Sequence, residues 1–121
     1  MIKLNPTDKT PAVTFDVDNG VLSIEGKSFM ESSYEFYEPV LKTIKEYIRQ
    51  PKLQTEINLK FEYFNTSSSK SILEILREFE KISNRSEVTV NWHYEKGDDD
   101  MLEVGQDYQT IVTLPFKMIE V

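Results

Sequence analysis

Between Thr55 and Phe64 apolar and polar residues alternate without a break. Ile57, Leu59, Phe61 and Tyr63 fall on one side, Glu56, Asn58, Lys60 and Glu62 on the other. Glu87 to Tyr94 repeats the pattern, with Val88, Val90, Trp92 and Tyr94 set against Glu87, Thr89, Asn91 and His93. A period of two is that of a strand with one wet face, because a strand covered on both sides is apolar throughout. These two stretches constrain the fold most tightly: they demand a sheet with helices packed on one face and the other face open. From Ser68 to about Ser83, the residues Ile72, Ile75, Leu76, Phe79 and Ile82 recur at helical spacing, with Glu74, Arg77, Glu78 and Lys81 on the wet side. Strand, helix and strand in that order imply parallel pairing through a right-handed crossover.

The flanking segments extend this unit. Val13 to Val17 alternates, Asp18-Asn19-Gly20 supplies a tight turn, and Val21 to Glu25 resumes as a strand, which reads as a hairpin. Ser32 and Glu35 have the spacing of a capping box. Pro39 interrupts a continuous helix but suits the first position of one. The expectation is a helical turn near Ser33–Tyr37, then a main helix from Pro39 to about Arg49 with Leu41, Ile44 and Ile48 on one face. Gly97 and the three aspartates open a short helix through about Tyr108, with Met101 and Val104 inward. Thr110 to Phe116 reads as a last strand, at an edge because of Pro115. The sum is one α/β domain over residues 1–121: an open mixed sheet that begins with a hairpin and carries its helices mainly on one face.

Composition excludes several functions. Cysteine is absent, which removes disulfides, thiolate catalysis and Cys-based zinc sites. A net charge of −7 disfavours binding to a phosphate backbone, so nucleic acid is not an expected partner. No stretch has the length and apolarity of a membrane span or a secretory leader, which makes the cytoplasm the expected compartment. No pattern calls for a cofactor.

Chemistry concentrates in Asn65-Thr66-Ser67-Ser68-Ser69-Lys70, between a strand and a helix. A helix start presents free N–H groups and the positive end of a dipole. One role for the hydroxyls is capping, by Thr66 or Ser67, worth roughly 1 kcal/mol. The other is to hold an anion, or to carry a phosphate. The run Asp98–Asp100 is acidic enough to suggest a metal-dependent enzyme, but it lacks the spaced oxygen ligands of a cation loop and fits a solvated helix cap better. His93 stands on the open face without the partners of a catalytic base. Gly26-Lys27-Ser28 lacks the upstream glycine of a phosphate-binding loop, position 21 being Val21. Phe29, Tyr34, Phe36 and Tyr37 form an aromatic group that serves either the core or a contact surface.

These segments together resemble the SiaC family of bacterial regulatory phosphoproteins. The matching pieces are Thr10-Pro11, Gly26-Lys27-Ser28-Phe29 with Glu31, Phe36-Tyr37-Glu38-Pro39, Tyr63 to Lys70, Trp92-His93-Tyr94 and Asp98 to Met101. They run through nearly the whole chain in order, and Tyr63 to Lys70 is the most specific. Met30 departs from the family, which often has proline there. The resemblance implies a fold like the STAS-type anti-sigma-factor antagonists and a non-enzymatic role. It makes Thr66 the residue phosphorylated by a dedicated protein kinase and dephosphorylated by a metal-dependent serine/threonine phosphatase. Asn65, Ser67, Ser68, Ser69, Lys70 and Tyr37 would shape the switch pocket and the partner contact. The unphosphorylated form would activate a diguanylate cyclase, with an output in cyclic di-GMP signalling and biofilm or aggregation control. An anion-binding module using the serine-rich helix start, and the metal enzyme using Asp98–Asp100, are the alternatives. Oligomeric state is left open by the sequence.

Overall fold

The computed structural model describes all 121 residues. Its elements are β1 (Ile2–Leu4), β2 (Ala12–Asp16), β3 (Val21–Ser28), α1 (Ser33–Tyr47), β4 (Gln54–Phe64), α2 (Thr66–Glu80), β5 (Glu87–Tyr94), α3 (Asp99–Ile111) and β6 (Phe116–Glu120). The strands lie in sequence order in one six-stranded sheet. β1, β2 and β3 pair antiparallel; β3 to β6 pair parallel. Each parallel step crosses over through a helix, as the alternation of strands and helices requires.

The hairpin between β2 and β3 closes because the Asp16 carboxylate accepts the Asn19 N–H at 3.2 Å and the Asn19 Nδ2–H at 2.7 Å. Gly20 completes it at φ +68°; a Cβ there would meet the Tyr47 hydroxyl at 2.6 Å and the Gln54 carbonyl at 2.7 Å. The alternation then sorts the sheet into two faces. Val13, Phe15, Leu22, Ile24, Ile57, Leu59, Val90 and Trp92 are buried beneath Val40 and Ile44 of α1 and Ile72, Ile75, Leu76 and Phe79 of α2. Burying each such side chain is worth about 1.5–3 kcal/mol. On the other face Asn91 donates to Asn58 at 2.8 Å, and Asn58 reaches Ser23 and Glu56. The open face is thus a polar ladder, as the pattern demands. α3 packs on Trp92: its indole N–H donates to the Met101 carbonyl at 3.0 Å, and Gly105 leaves room for the ring.

Four sequence-based expectations need correction. α1 is one helix from Ser33 to Tyr47 with Pro39 inside it, not a turn followed by a second helix. The buried residues Tyr37, Val40, Leu41 and Ile44 draw the whole segment onto the core, which outweighs the backbone bond that Pro39 cannot make. Ser32 is the N-cap residue but its side chain makes no capping bond, so the Ser32–Glu35 box does not form. The last strand is Phe116–Glu120, with α3 extending through Ile111, because Tyr108 and Val112 still reach the core. β6 is at the sheet edge as expected.

The fourth correction lies in β4. Gly26 pairs with Phe61 and Lys27 with Tyr63, so Glu62 stands unopposed as a bulge beside Gly26, whose φ is +120°. One extra residue reverses the alternation. Tyr63, expected inside, is 51% exposed, and Phe64 turns inward against Phe61 and Trp92, with ring centroids at 5.1 and 6.3 Å.

Candidate functional site

β4 delivers the chain to the start of α2 at the carboxyl end of the parallel strands, the usual functional edge of such sheets. The cap of α2 is Asn65, not Thr66 or Ser67: its Oδ1 accepts the Ser68 N–H at 2.9 Å, and its Nδ2 donates to the Met30 carbonyl at 2.8 Å. Its own N–H donates to the Ser28 carbonyl at 3.1 Å. One side chain therefore starts the helix and ties it to the loop after β3.

The four hydroxyls, equivalent in the sequence, are divided by the fold. Ser68 is fully buried; it donates to the Ser28 carbonyl at 2.9 Å and receives the Ser28 hydroxyl at 2.6 Å. Tyr37, also fully buried, lies 2.7 Å from the same Ser28 oxygen. Burial pushes the Tyr37 hydroxyl up to about 12, with the Ser28 bond a smaller opposing influence, so it stays protonated as a donor. Ser67 accepts the Ser33 N–H at 3.0 Å and so satisfies a free donor at the start of α1, where the Ser32 side chain makes no capping bond. The Ser33 hydroxyl donates to the Ser67 carbonyl at 2.7 Å, and the Ser71 hydroxyl bonds Ser33 in turn. Ser69 turns back to the Thr66 carbonyl at 2.8 Å, while its own carbonyl accepts from Tyr108 at 2.9 Å.

Thr66 differs from all three. It is exposed, it occupies the first helical position, and its hydroxyl makes no hydrogen bond within the chain. The N–H groups of Thr66 and Ser67 have no carbonyl to reach inside the helix and sit at the positive end of its dipole. Lys70, one turn on, is exposed and belongs to none of the ion pairs. A negatively charged group on the Thr66 oxygen would thus meet two donors, a helix dipole and a cation. Tyr37 and Ser68 lie beneath this corner and hold it from inside; in this structure they are not surface a partner can touch.

Serine partners 34 and 40 residues away, Ser33 and Ser28, complete the corner. Linear spacing carried no signal for their contacts; Ser28 stood out as the end of a defective phosphate-loop motif and as part of a segment that carries the family resemblance. The remaining candidates fall elsewhere. Asp98 spends its carboxylate on the Met101 N–H at 3.0 Å as the cap of α3, and no cluster of three or more His, Asp or Glu side chains is arranged to hold a metal. A cavity of about 400 Å³ opens on the polar sheet face between Glu25, Gly26, Lys60 and His93, and Thr66 is not among its lining residues. The aromatic group is split: Tyr37 is core, whereas Phe29 and Tyr34 are 49% and 58% exposed. No helix is long and apolar enough to cross a membrane.

Fold and corner together describe a small open-sheet α/β domain that presents an unbonded hydroxyl at a helix start. The chain belongs to the SiaC family of regulatory phosphoproteins, whose family profile matches residues 4–121. It is 30% identical over 111 residues to an uncharacterized protein of Pseudomonas aeruginosa strain UCBPP-PA14, covering 91% of this chain and 88% of that one. Its structure is similar to that of Pseudomonas aeruginosa SiaC in complex with the diguanylate cyclase SiaD, which SiaC activates: TM-score 0.92, 28% identity, all of both chains covered. It is similar also to SiaC of the same organism without its partner, with TM-score 0.88 and 28% identity over 98% of this chain and 97% of that one.

Proposed function

We propose that this chain is a non-enzymatic, cytoplasmic switch protein. A partner protein kinase phosphorylates Thr66, a serine/threonine phosphatase removes the phosphate, and the unmodified form binds and activates a diguanylate cyclase. The output is cyclic di-GMP. The observation that carries this reading is the sorting of the four hydroxyls: three are spent on the fold, and Thr66 alone is exposed and unbonded. Family membership supplies the phosphoprotein class, and the SiaC–SiaD complex supplies the class of effector.

The mechanism is local. A phosphate brings about −1.5 to −2 charges and three acceptor oxygens. The Thr66 and Ser67 N–H groups and Lys70 stabilise it in place, while Asn65, Ser67, Ser68 and Ser69 keep the helix start in position. The partner then meets charge and bulk where it had met a neutral hydroxyl, and dissociates. The exposed corner lies outside the open-face cavity, which suits a protein partner better than a free small anion.

Thr66→Ala should abolish kinase-dependent phosphate incorporation and leave cyclase binding intact. Thr66→Glu, an imperfect mimic of the charge, should weaken binding clearly. Stoichiometric phosphorylation of Thr66→Ala, mapped by mass spectrometry, would sink the assignment.

A further inference from the structure

The bulge at Glu62 has a second consequence on the surface. Tyr63, turned outward, stands beside Phe29, the first residue after β3, with ring centroids 5.5 Å apart. They are 51% and 49% exposed, the one aromatic pair in the molecule with both rings exposed to this extent. Bulges of this kind re-aim a side chain. The backbone on both sides is fixed. The Phe29 N–H donates to the Lys9 carbonyl at 2.7 Å, and Asn65 holds the Ser28 and Met30 carbonyls at 3.1 and 2.8 Å. Tyr63 is three residues from Thr66 on the segment that leads into α2. The pair is therefore an exposed aromatic patch on a backbone fixed by hydrogen bonds, and its Tyr63 leads into the turn that carries Thr66. Rigid aromatic side chains seated in a desolvated pocket are the usual energetic centres of protein interfaces.

We propose that Phe29 and Tyr63 anchor this chain in an apolar cleft of its diguanylate cyclase, and that phosphate on Thr66 acts by preventing desolvation of that seat. The proposal rests on the reading of Thr66 above and assigns the surface through which it works. The chain matches SiaC both bound to a cyclase and free, with TM-scores of 0.92 and 0.88. A fold that matches both the bound and the free relative suits an anchor already formed before binding, as this pair is. Asn65, beside Thr66, bonds the carbonyls on both sides of Phe29, which ties the patch to the corner a phosphate would occupy. Lys27, paired across from Tyr63, and Lys70 beyond Thr66 give the rim cations, with Glu62 opposing them. A partner that balances this mixed rim is mismatched once a phosphate adds about −1.5 to −2 charges.

The test uses the full chain and the host's diguanylate cyclase that co-purifies with it. Wild type, Phe29→Ala, Tyr63→Ser and Thr66→Glu are titrated against that cyclase by calorimetry. Each is also assayed for kinase-dependent phosphate incorporation, melting temperature and mass in solution. Phe29→Ala and Tyr63→Ser should each weaken binding by roughly tenfold or more, with unchanged melting and undiminished phosphorylation of Thr66. Wild-type affinity in both variants, while Thr66→Glu loses binding, overturns the anchor and leaves the switch standing. Failure of the wild-type chain to bind a cyclase or accept phosphate removes the switch and the anchor with it. Lost phosphorylation with retained cyclase binding assigns the patch to the kinase and overturns the proposal. A wild-type dimer that the variants convert to monomer assigns it to a second copy of the chain, and overturns it likewise.

Discussion

Thr66, Ser68 and Asn65 occupy one turn of chain yet answer to different forces. Ser68 is buried between Ser28 and the helix, so Ser68→Ala leaves the Ser28 hydroxyl without its acceptor in a dry site, while the Ser28 carbonyl keeps the Asn65 N–H. That should cost about 1–3 kcal/mol. Asn65→Ala removes the cap and the bond to Met30, for about 1 kcal/mol or somewhat more. Thr66→Ala, on the surface and without a bond, should stay within about 0.5 kcal/mol of wild type. Urea midpoints at constant slope measure all three. Equal losses at positions 66 and 68 would overturn the division between a presented hydroxyl and supporting ones. The sequence placed four hydroxyls at a helix start but could not rank them. The ranking depends on Ser28, Ser33 and Tyr37, which reach the corner only when β3 and α1 are folded against it.

At the scale of elements, α1 shows packing prevailing over local preference. Proline inside a helix costs about 3 kcal/mol relative to alanine, and its stiffening of the unfolded chain returns up to about 1 kcal/mol. Pro39→Ala should therefore raise stability by at most about 2 kcal/mol, seen as a higher urea midpoint with no change of fold by circular dichroism. A fall in the midpoint would mean that Pro39 sets a bend the packing of Tyr37 and Leu41 needs. β4 is the converse case. Its alternation was legible from Ile57 to Phe61, and it failed at Tyr63 because a bulge depends on the neighbouring strand, where Gly26 takes a positive φ. The capping box failed for a related reason. Ser67, from another helix, accepts the Ser33 N–H, while the Ser32 side chain makes no bond to the Glu35 N–H that the box would have served.

For the molecule as a whole, the buried phenols set the alkaline limit of stability. Burial raises the Tyr37 hydroxyl to about 12 against a partial offset from Ser28, and raises Tyr108 also. The unfolded chain titrates these groups near pH 10. Because the folded values lie higher, their contribution is complete below pH 10 and is lost as pH rises through the folded values. For Tyr37 the loss should reach roughly 2 kcal/mol by pH 12. Thermal melts from pH 8 to 12 should show a decline that begins near pH 10. Tyr37→Phe should make it shallower, leaving the share of Tyr108. A flat profile would place both hydroxyls in contact with water.

The sequence by itself determined the class of fold, the polar and apolar faces of the sheet, the parallel order of its later strands and the location of the chemistry, because hydrophobic period and helix-start composition are local properties. It also carried the family. Tertiary structure decided what depends on residues distant in the chain. It made Asn65 the cap, put Ser67 and Ser68 to structural use, left Thr66 free and turned Tyr63 out beside Phe29. Each of those outcomes depends on a neighbouring strand, loop or helix supplying a hydrogen bond, or an unpaired residue, that no window of local sequence contains.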